Sequence, residues 1–428
     1  MGKIKSILSI TTFLLIGSST ILGQQEDPAV TRFREYLRIN SAHPIPDYDS
    51  CIAWLRNQAL EIGLSFNVEY YDPPEHSFSV WMTWNGTNPQ LKSILIDSHM
   101  DVVAVDESQW DHAPFEAFKD AEGNIFARGA VDMKSTTVAV LESVRRLKAS
   151  GFNPLRTIHI MILPDEELYS RGVKGFVNST TFTAMNIGFA LDEAVSNPAD
   201  EDNLLVTYTE KSVWQFNYTV YGTSMHASTL PEITAGQKLQ VVIDRLLEFR
   251  ASQLDLLQQP GVTLQNLTTL NLVQVGGGLG NNIIPPELWV SFDMRIVIKP
   301  GWNFSDIENM LDNIAAESGN DTVITYLVKT MDYGLTPTDN SNIWWVTLEN
   351  TCAQLNVNCT PNIPNGVTDG RYIRNMGIPV FGLNTFTRTP SMAHQTNERI
   401  NENVLLTGIT RFTRFIQNFA MVSEILHP

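Results

Sequence analysis

Hydrophobic patterns typical of helices and of buried strands alternate along the chain from about residue 30 to residue 205. Residues 47–63 and 134–150 carry apolar side chains at helical spacing, and Gly151 follows the second stretch as a helix stop. Three short apolar runs have the length of buried strands: 94–96, 158–163 and 187–191. Buried strands that alternate with helices predict an α/β fold, with a partly parallel sheet covered on both faces.

A different pattern begins near residue 211. The segment VWQFNYTVYG alternates apolar and polar residues like a half-exposed antiparallel strand. A helical pattern follows at 234–250, and ELWVSFDMRIVI alternates again. These elements predict a smaller α+β unit that occupies 211–328.

The end of the chain returns to the first pattern. MGIPVFGLN provides one more buried strand, and 402–419 has the pattern of a closing helix. The prediction is therefore a larger domain in two parts, 24–210 and 329–428, with the unit at 211–328 inserted between them. A chain of 428 residues is long enough for two domains.

The first residues, MGKIKSILSITTFLLIGSSTILGQQEDP, place Lys3 and Lys5 before an apolar run from Ile7 to about Ile16. This order is typical of a secretory signal peptide, and we expect residues 1–23 to be removed. The run is short for a membrane span, so we expect no stable span after cleavage; an uncleaved anchor is the alternative.

Seven Asn-x-Ser/Thr acceptors follow the leader: Asn85, Asn178, Asn217, Asn266, Asn303, Asn320 and Asn358. Together with the leader they favour a glycosylated protein that is secreted or lumenal, the lysosome included. Cys352 and Cys359 are close enough in sequence to close a small loop, which would leave Cys51 alone; three buried free thiols are the alternative. No cysteine is near the candidate site residues, so thiolate catalysis and a sulfur-rich zinc site are poor explanations.

The composition and net charge bear on which partners the protein can bind. With 43% hydrophobic and 18% charged residues the chain can bury an ordinary core, and its net charge is −17. A nucleic-acid partner is not expected, because phosphate binding needs clustered Lys and Arg that the sequence lacks. The acidity reflects solubility or a site crowded with carboxylates.

Acidic and imidazole side chains follow the three predicted strands in turn. They are His99 and Asp101 after the first, Asp165, Glu166 and Glu167 after the second, and Asp192 and Glu193 after the third. Asp132, in ARGAVDMKS, lies at the predicted start of a helix. Ligands of open α/β sheets bind at the carboxyl ends of the strands, so we expect these groups to meet there.

Converging carboxylates repel one another unless positive charge neutralises them, and a pair of divalent cations would do so. Imidazole nitrogen with carboxylate oxygen suits zinc, with manganese or cobalt as alternatives, whereas calcium prefers oxygen alone. The favoured reaction class is metal-assisted hydrolysis. Each group also has a simpler interpretation as a surface hydrogen bond, a helix cap or a solvated loop. Their recurrence after successive strands favours the metal site.

Eight motifs carry a resemblance to a known family: SHMDVVAVDESQWDHAPFEA, IFARGAVDMKS, PDEELYSRGVKGF, FALDEAVSNP, GTSMHAS, NIIPPELWVSFDMR, VTDGRYIRNMGIPVFG and AHQTNERI. In order and spacing they resemble the aminoacylase-1 family of di-zinc amidohydrolases and exopeptidases, over nearly the whole chain after the leader. The resemblance implies an α/β, phosphorylase/hydrolase-like zinc peptidase domain with a mixed central sheet, and an inserted α+β lid or dimerisation domain.

The resemblance also implies two zinc ions per subunit. The implied ligands are His99 and Glu193 for one zinc, Glu167 and His394 for the other, and Asp132 as the bridge. Glu166 would be the general base, and Asp101 would orient His99.

The same resemblance assigns a catalytic histidine and three substrate-binding residues. His226, in GTSMHAS, would reach across a homodimer to stabilise an oxyanion in the partner's site. Asn282 and Arg295 match positions that help hold the substrate carboxylate, and Arg371 is a further candidate. For each of the two arginines a structural salt bridge is the alternative.

The expected activity is hydrolysis of N-acyl-L-amino acids to a carboxylate and a free L-amino acid. A secreted dipeptidase or carboxypeptidase of the same superfamily is the nearest alternative, and a catalytically silent binding protein is a more distant one. The chain departs from the family pattern at Thr223, Ser224 and Met225 and in PDEELYSRG, which bears on acyl-chain preference. The leader is another departure, because the best-known aminoacylases are cytosolic.

Overall fold

The computed structural model describes residues 26–72, 77–198, 202–298, 302–332 and 334–423. The predicted signal peptide at 1–23 lies outside the described residues. Within the described ranges, every helix is too short or too polar to cross a lipid bilayer.

The helices are α1 (Pro28–Leu37), α2 (Tyr48–Ile62), α3 (Lys134–Ala149), α4 (Arg171–Val177), α5 (Thr180–Ala184), α6 (Ala235–Leu257), α7 (Phe304–Ser318), α8 (Ile343–Leu355), α9 (Gly370–Asn375) and α10 (Glu402–Ala420). The strands are β1 (Ser65–Tyr70), β2 (Phe78–Trp84), β3 (Ser93–His99), β4 (Phe118–Lys119), β5 (Asn124–Phe126), β6 (Ile158–Leu163), β7 (Ile187–Asp192), β8 (Asn203–Thr207), β9 (Ser212–Tyr221), β10 (Met225–His226), β11 (Thr269–Gly277), β12 (Ile283–Ile284), β13 (Glu287–Ile296), β14 (Val323–Lys329), β15 (Asn358–Asn362), β16 (Val380–Leu383) and β17 (Arg399–Asn401).

An eight-stranded sheet forms the centre of the larger domain, in the order β1-β2-β6-β3-β7-β16-β8-β15. Its four middle strands, β6, β3, β7 and β16, run parallel to one another, whereas β1, β2 and β8 pair antiparallel with neighbours. Ile94 and Ile96 of β3 face a core shared with α1, α3 and α10, and Leu95 faces a second core with α4 and α5. The predicted α/β fold with a mixed sheet covered on both faces is confirmed.

A four-stranded antiparallel sheet, β11-β13-β9-β14, forms the second unit. Alternate residues of β9, Trp214, Phe216 and Tyr218, enter a core closed by α6 and α7. The helix α6 is longer than predicted: it continues past Arg250, because Ser252 and Gln253, which interrupt the apolar pattern, lie on its surface. The separate core supports an inserted unit, and its boundaries at 211 and 328 stay a prediction.

The last part of the chain returns to the central sheet through β15, β16 and the covering helices α8 and α10, as predicted. A disulfide joins Cys352 at the end of α8 to Cys359 of β15, and Cys51 is a buried free thiol. Of the two alternatives that the sequence left open for the cysteines, the small disulfide loop is therefore the one that forms.

Candidate active site

The carboxyl edge of the central sheet collects the acidic and imidazole groups that the sequence singled out. The strands β6, β3 and β7 are adjacent and parallel, so their last residues lie side by side. His99 is the last residue of β3, Glu166 and Glu167 follow β6, and Glu193 follows β7. Buried apolar strands thus carry ionisable groups to one place, which is the ligand-binding edge of such sheets.

The Asp132 carboxylate lies between two histidines. Its Oδ1 is 3.2 Å from Nε2 of His99, and its Oδ2 is 3.4 Å from Nε2 of His394. His394 Nε2 also lies 2.8 Å from a carboxylate oxygen of Glu167, and His99 Nε2 lies 3.6 Å from one of Glu193. The five predicted ligands are therefore brought together, with Asp132 in the middle.

Asp132 stands two residues before α3 but does not act as its cap, because the N-cap residue is Met133 and the helix has no side-chain cap. His394 lies in the loop after β16 with its backbone in the left-handed region (φ 64°), which a residue with a side chain seldom adopts. Both side chains are thus directed toward the cluster by loops rather than by regular structure.

A tight turn after β6 presents Glu166 and Glu167. Asp165 has a left-handed backbone (φ 65°), and its carbonyl oxygen accepts hydrogen bonds from the N–H groups of Tyr169 and Ser170. The Arg171 guanidinium donates to both carboxylate oxygens of Asp165, at 2.7 and 2.9 Å. Asp165 is therefore occupied in holding the turn, and the two glutamates after it face the site.

Asp101 connects several of these residues. Its main-chain oxygen lies 2.9 Å from Nδ1 of His99, whereas its carboxylate is 3.7 Å from that nitrogen. The carboxylate instead accepts the N–H groups of Glu166 and Glu167, each at 3.2 Å, and contacts His43 Nε2 at 2.8 Å. The contact that holds the His99 ring comes through the main chain, and orientation of His99 by the Asp101 side chain stays a prediction.

One position that sequence reasoning missed supports the site, and one that it expected there lies outside the cluster. The buried Glu398 carboxylate accepts the main-chain N–H of Asp132 at 3.0 Å. The Asp192 carboxylate does not join the cluster but accepts the Thr368 hydroxyl at 2.5 Å and the N–H of Gly370 at 2.8 Å. Glu398 lies in the quoted motif AHQTNERI, yet no local pattern marks it as buried.

The cluster has an excess of acidic groups. Burial raises the pKa of Glu166 well above its ordinary value, and the nearby Glu193 carboxylate adds to the rise. Burial likewise raises the pKa of Glu193. Hydrogen bonding, first of all to Asp132, raises the pKa of His394 to about 10. Added positive charge would let these carboxylates ionise together.

The donor set fits divalent metal ions of the zinc type. Two groups of ligand atoms each lie within 4.8 Å of one another: His99 with Glu166 and Glu193, and His99 with Asp132 and Glu167. Because Nδ1 of His99 is engaged by a carbonyl oxygen, Nε2 is the nitrogen available to a metal. Imidazole with carboxylate is a typical zinc ligand set.

A cavity of about 210 Å³ opens over this cluster. Glu166, Glu167 and His394 form part of its wall. Its apolar lining includes Val131, Met133, Ala194, Val195 and Val367. The cavity can therefore hold a small molecule with an apolar part against the acidic cluster.

His226 and the three predicted substrate-binding residues lie elsewhere in the described chain, and none of them lines this cavity. His226 is exposed on β10, where its Nδ1 contacts the Ser228 hydroxyl at 2.7 Å, and the adjacent Ala227 N–H donates to the carbonyl of Asn282. Their roles toward the site stay predictions.

The two arginines have contacts of their own. Arg295 on β13 pairs with both carboxylate oxygens of Asp293, at 2.8 and 3.1 Å, which is the structural salt bridge that the sequence left open. Arg371 on α9 lies over the ring of Tyr372, 4.9 Å from its centroid.

Comparison with known proteins decides the family. The model of peptidase family M20/M25/M40 matches residues 95–418. The chain belongs to this family. Human aminoacylase-1 (Homo sapiens) is 40% identical over 405 residues, which cover 94% of this chain and 98% of the human protein. Aminoacylase-1 of Dictyostelium discoideum is 35% identical over 411 residues, covering 92% and 98%.

A solved structure of an M20 family metallo-carboxypeptidase, Sso-CP2 from Sulfolobus solfataricus, has a TM-score of 0.70 to this chain. The identity is 18%, over 92% of this chain and all of the other. This likeness supports the M20 fold, and the curated relatives confirm the predicted membership of the aminoacylase-1 family. Membership of M20/M25/M40, together with the donor set at the sheet edge, implies a metal cofactor.

Proposed function

We propose that this protein is a metal-dependent amidohydrolase that cleaves N-acyl-L-amino acids to a carboxylate and a free L-amino acid. The observation that carries the proposal is the Asp132 carboxylate between the Nε2 atoms of His99 and His394, with Glu166 on the same cavity wall. The 40% identity to human aminoacylase-1 over almost the whole chain supports this choice of substrate.

The metal centre is proposed to hold two divalent ions, with zinc as the expected metal and manganese or cobalt as alternatives. The residues that would hold them are His99 and Glu193 for one ion, Glu167 and His394 for the other, and Asp132 for both. Such ions polarise a carbonyl group and lower the pKa of water when they are bound. All five side chains lie within 3.6 Å of at least one other member of this set.

Glu166 is proposed to move the protons. It lines the cavity beside the ligands and makes no ion pair within the described residues that would hold its carboxylate away. It would take a proton from the attacking water while the new C–O bond forms. It would then give that proton to the nitrogen as the C–N bond breaks, so that the amino acid leaves as a neutral amine.

A homodimer is proposed to complete the site. His226 does not contact the ligand cluster of its own chain, and the surface around it carries exposed apolar side chains, with Leu230 100%, Ile233 60% and Leu279 69% exposed. An apolar, exposed surface of this kind favours a protein contact. A His226 ring placed over the partner's cavity would stabilise the oxyanion of the tetrahedral intermediate.

Secretion into an oxidising compartment, with N-glycosylation, is proposed from three observations. The leader has signal-peptide order, and the Cys352–Cys359 disulfide is a bond that persists outside the cytosol. Six of the seven acceptor asparagines have exposed side chains; Asn217 is the exception, because it lies half-buried on β9 with its Oδ1 covered. We expect glycans at the exposed acceptors and none at Asn217.

The test combines metal analysis with a substrate panel on the secreted, purified enzyme. We expect about two zinc equivalents per chain, loss of activity on chelation, and recovery when zinc, cobalt or manganese is returned. N-acetyl-L-amino acids should be hydrolysed with a higher kcat/KM than dipeptides. A higher kcat/KM for dipeptides would favour the peptidase alternative, and a chain without bound metal or hydrolytic activity would contradict the proposal.

A further inference from the structure

Glu398 is a fully buried carboxylate beneath the loop that carries Asp132. One of its oxygens accepts the main-chain N–H groups of Val131 at 2.6 Å and Asp132 at 3.0 Å. The other accepts the N–H of Gly129 at 3.0 Å and the Arg128 guanidinium at 2.7 Å. Each oxygen thus accepts two hydrogen bonds, and four donors of one short loop converge on a single side chain.

The same segment of chain carries His394, four residues before Glu398. Arg128 donates a second hydrogen bond to the carbonyl of Gln395 at 3.1 Å, and the Ala127 N–H donates to the carbonyl of Glu398 at 3.0 Å. Immediately afterwards β17 pairs with β5. The loop that ends in Asp132 and the loop that begins with His394 are therefore tied together through Glu398.

Glu398 does not line the cavity, so it has no access to a substrate there. Its contacts instead fix the main chain at Asp132, whose carboxylate must meet His99 and His394 at the same time. A carboxylate that would hold two ions tolerates little displacement, and residues that hold metal ligands in place strongly affect metal affinity. A buried carboxylate is costly unless its charge is paired and hydrogen-bonded, and here it is both.

We propose that Glu398 is a positioning residue that fixes the distance between Asp132 and His394 and thereby sets the metal affinity of the centre. The proposal rests on the metal centre of the proposed function. It assigns to Glu398 no contact with substrate and no proton transfer. A substitution at Glu398 should therefore lower the affinity for metal while leaving substrate binding unchanged.

The decisive variant is Glu398→Gln, which keeps the shape of the side chain but replaces one acceptor oxygen with an NH₂ group. At least two of the four donors then lose their acceptor, and the loop shifts to recover hydrogen bonds. Glu142→Gln is the matched control. Glu142 is also buried and paired with arginine, through two Arg32 contacts at 2.6 and 2.7 Å, but lies two turns along α3 from the site.

Zinc affinity is measured on the purified full-length holoenzymes by competition with a chelating dye, and melting temperature is measured in parallel. We expect Glu398→Gln to bind zinc about 10–100-fold more weakly than the wild type, while Glu142→Gln loses thermal stability only. Activity of Glu398→Gln should recover at raised zinc concentration with the wild-type KM. Substitution of a merely structural residue would not produce that zinc-dependent recovery.

Wild-type zinc affinity in Glu398→Gln would overturn the inference, and so would an equal loss in Glu142→Gln. If Glu398→Gln does not fold, Arg128→Lys carries the test, because it removes the guanidinium nitrogen Nη1 that donates to both the Glu398 carboxylate and the Gln395 carbonyl. It should weaken zinc binding in the same direction, and an unchanged affinity would overturn the inference. A wild-type enzyme without bound zinc would instead contradict the metal centre itself, so the two failures are distinguishable.

Discussion

The carboxyl edge of the central sheet and the exposed β10–β12 pair, which forms the tip of the inserted unit and carries His226, are held by different contacts. At the sheet edge three of the five proposed ligands are held by further contacts: a carbonyl on His99, a buried glutamate below Asp132, and a braced turn before Glu167. At the tip of the inserted unit His226 is exposed, and its ring contacts only the Ser228 hydroxyl and N–H among the described residues.

This difference fits the roles proposed for the two regions. Several carboxylates stay close together only in a rigid frame, because their repulsion would otherwise separate them. An oxyanion donor must be aimed at the reacting carbonyl, but the chain that carries it need not be the chain that holds the metal ligands. The proposed metal centre is therefore assembled within one chain, whereas the proposed oxyanion donor would come from the partner.

The largest effect is expected from Glu166→Gln at the rigid edge. The amide cannot take a proton from water, so kcat should fall by up to about 10⁴-fold. Metal content should stay at the wild-type level, because the five proposed ligands are unchanged. Steady-state kinetics with metal analysis measures both quantities. A variant with wild-type kcat would show that Glu166 is not the general base.

A smaller loss is expected from His226→Ala at the exposed tip. Removal of one oxyanion donor should lower kcat by about 10²–10³-fold with no change in metal content. Ser228→Ala is the control, because it removes the hydroxyl that contacts the ring without removing the ring. A kcat within a few-fold of wild type in His226→Ala would mean that this tip takes no part in catalysis.

Mixing the two inactive variants asks whether the tip acts on its own chain or on the partner. After dissociation and reassembly, a mixed dimer has one complete site, formed by Glu166 of one chain and His226 of the other. About half of the dimers are mixed, so about a quarter of wild-type activity should return. A mixture as inactive as its components would show that His226 serves its own chain.

The next effect concerns Arg295, which belongs to the inserted unit and is paired with Asp293. If its guanidinium holds the substrate carboxylate, Arg295→Gln should raise KM about 10–100-fold, the value of one charged hydrogen bond, with little change in kcat. Asp293→Asn is the matched variant, because it frees the guanidinium and should leave KM unchanged or lower. Equal thermal destabilisation in both variants, with wild-type KM, would leave the salt bridge as the only role.

The sequence predicted the sheet edge well, because apolar strands and the ionisable groups after them are adjacent in the chain. His99 and Glu193 could be placed in this way from strand pattern alone. His394 could not, because it lies in an irregular loop with a left-handed backbone, and only the family motif identified it.

Glu398 lay beyond the reach of sequence patterns for a different reason. Its partner Gly129 is 269 positions away, and its burial results from two loops packing together. Helical spacing and strand alternation show which face of a helix or strand is apolar, and neither pattern describes contacts between two loops. The end of α6 was predicted seven residues early for a related reason, because polar residues on an exposed helix face resemble a helix stop.

The smallest effect on catalysis is expected far from both regions, at the Cys352–Cys359 disulfide between α8 and β15. Replacement of both cysteines by serine should lower the free energy of unfolding by about 2 kcal/mol, because a small closed loop restricts the unfolded chain. Neither kcat nor KM should change, because the bond does not contact the cavity. Chemical denaturation and kinetics on the same preparation provide the measurement.

Cys51→Ser is the control, since Cys51 is buried but forms no disulfide. A fall in kcat comparable to that of His226→Ala would mean that a shift of the edge strand β15 alters the geometry of the metal centre. The contrast between a rigid sheet edge and an exposed tip would then be too simple.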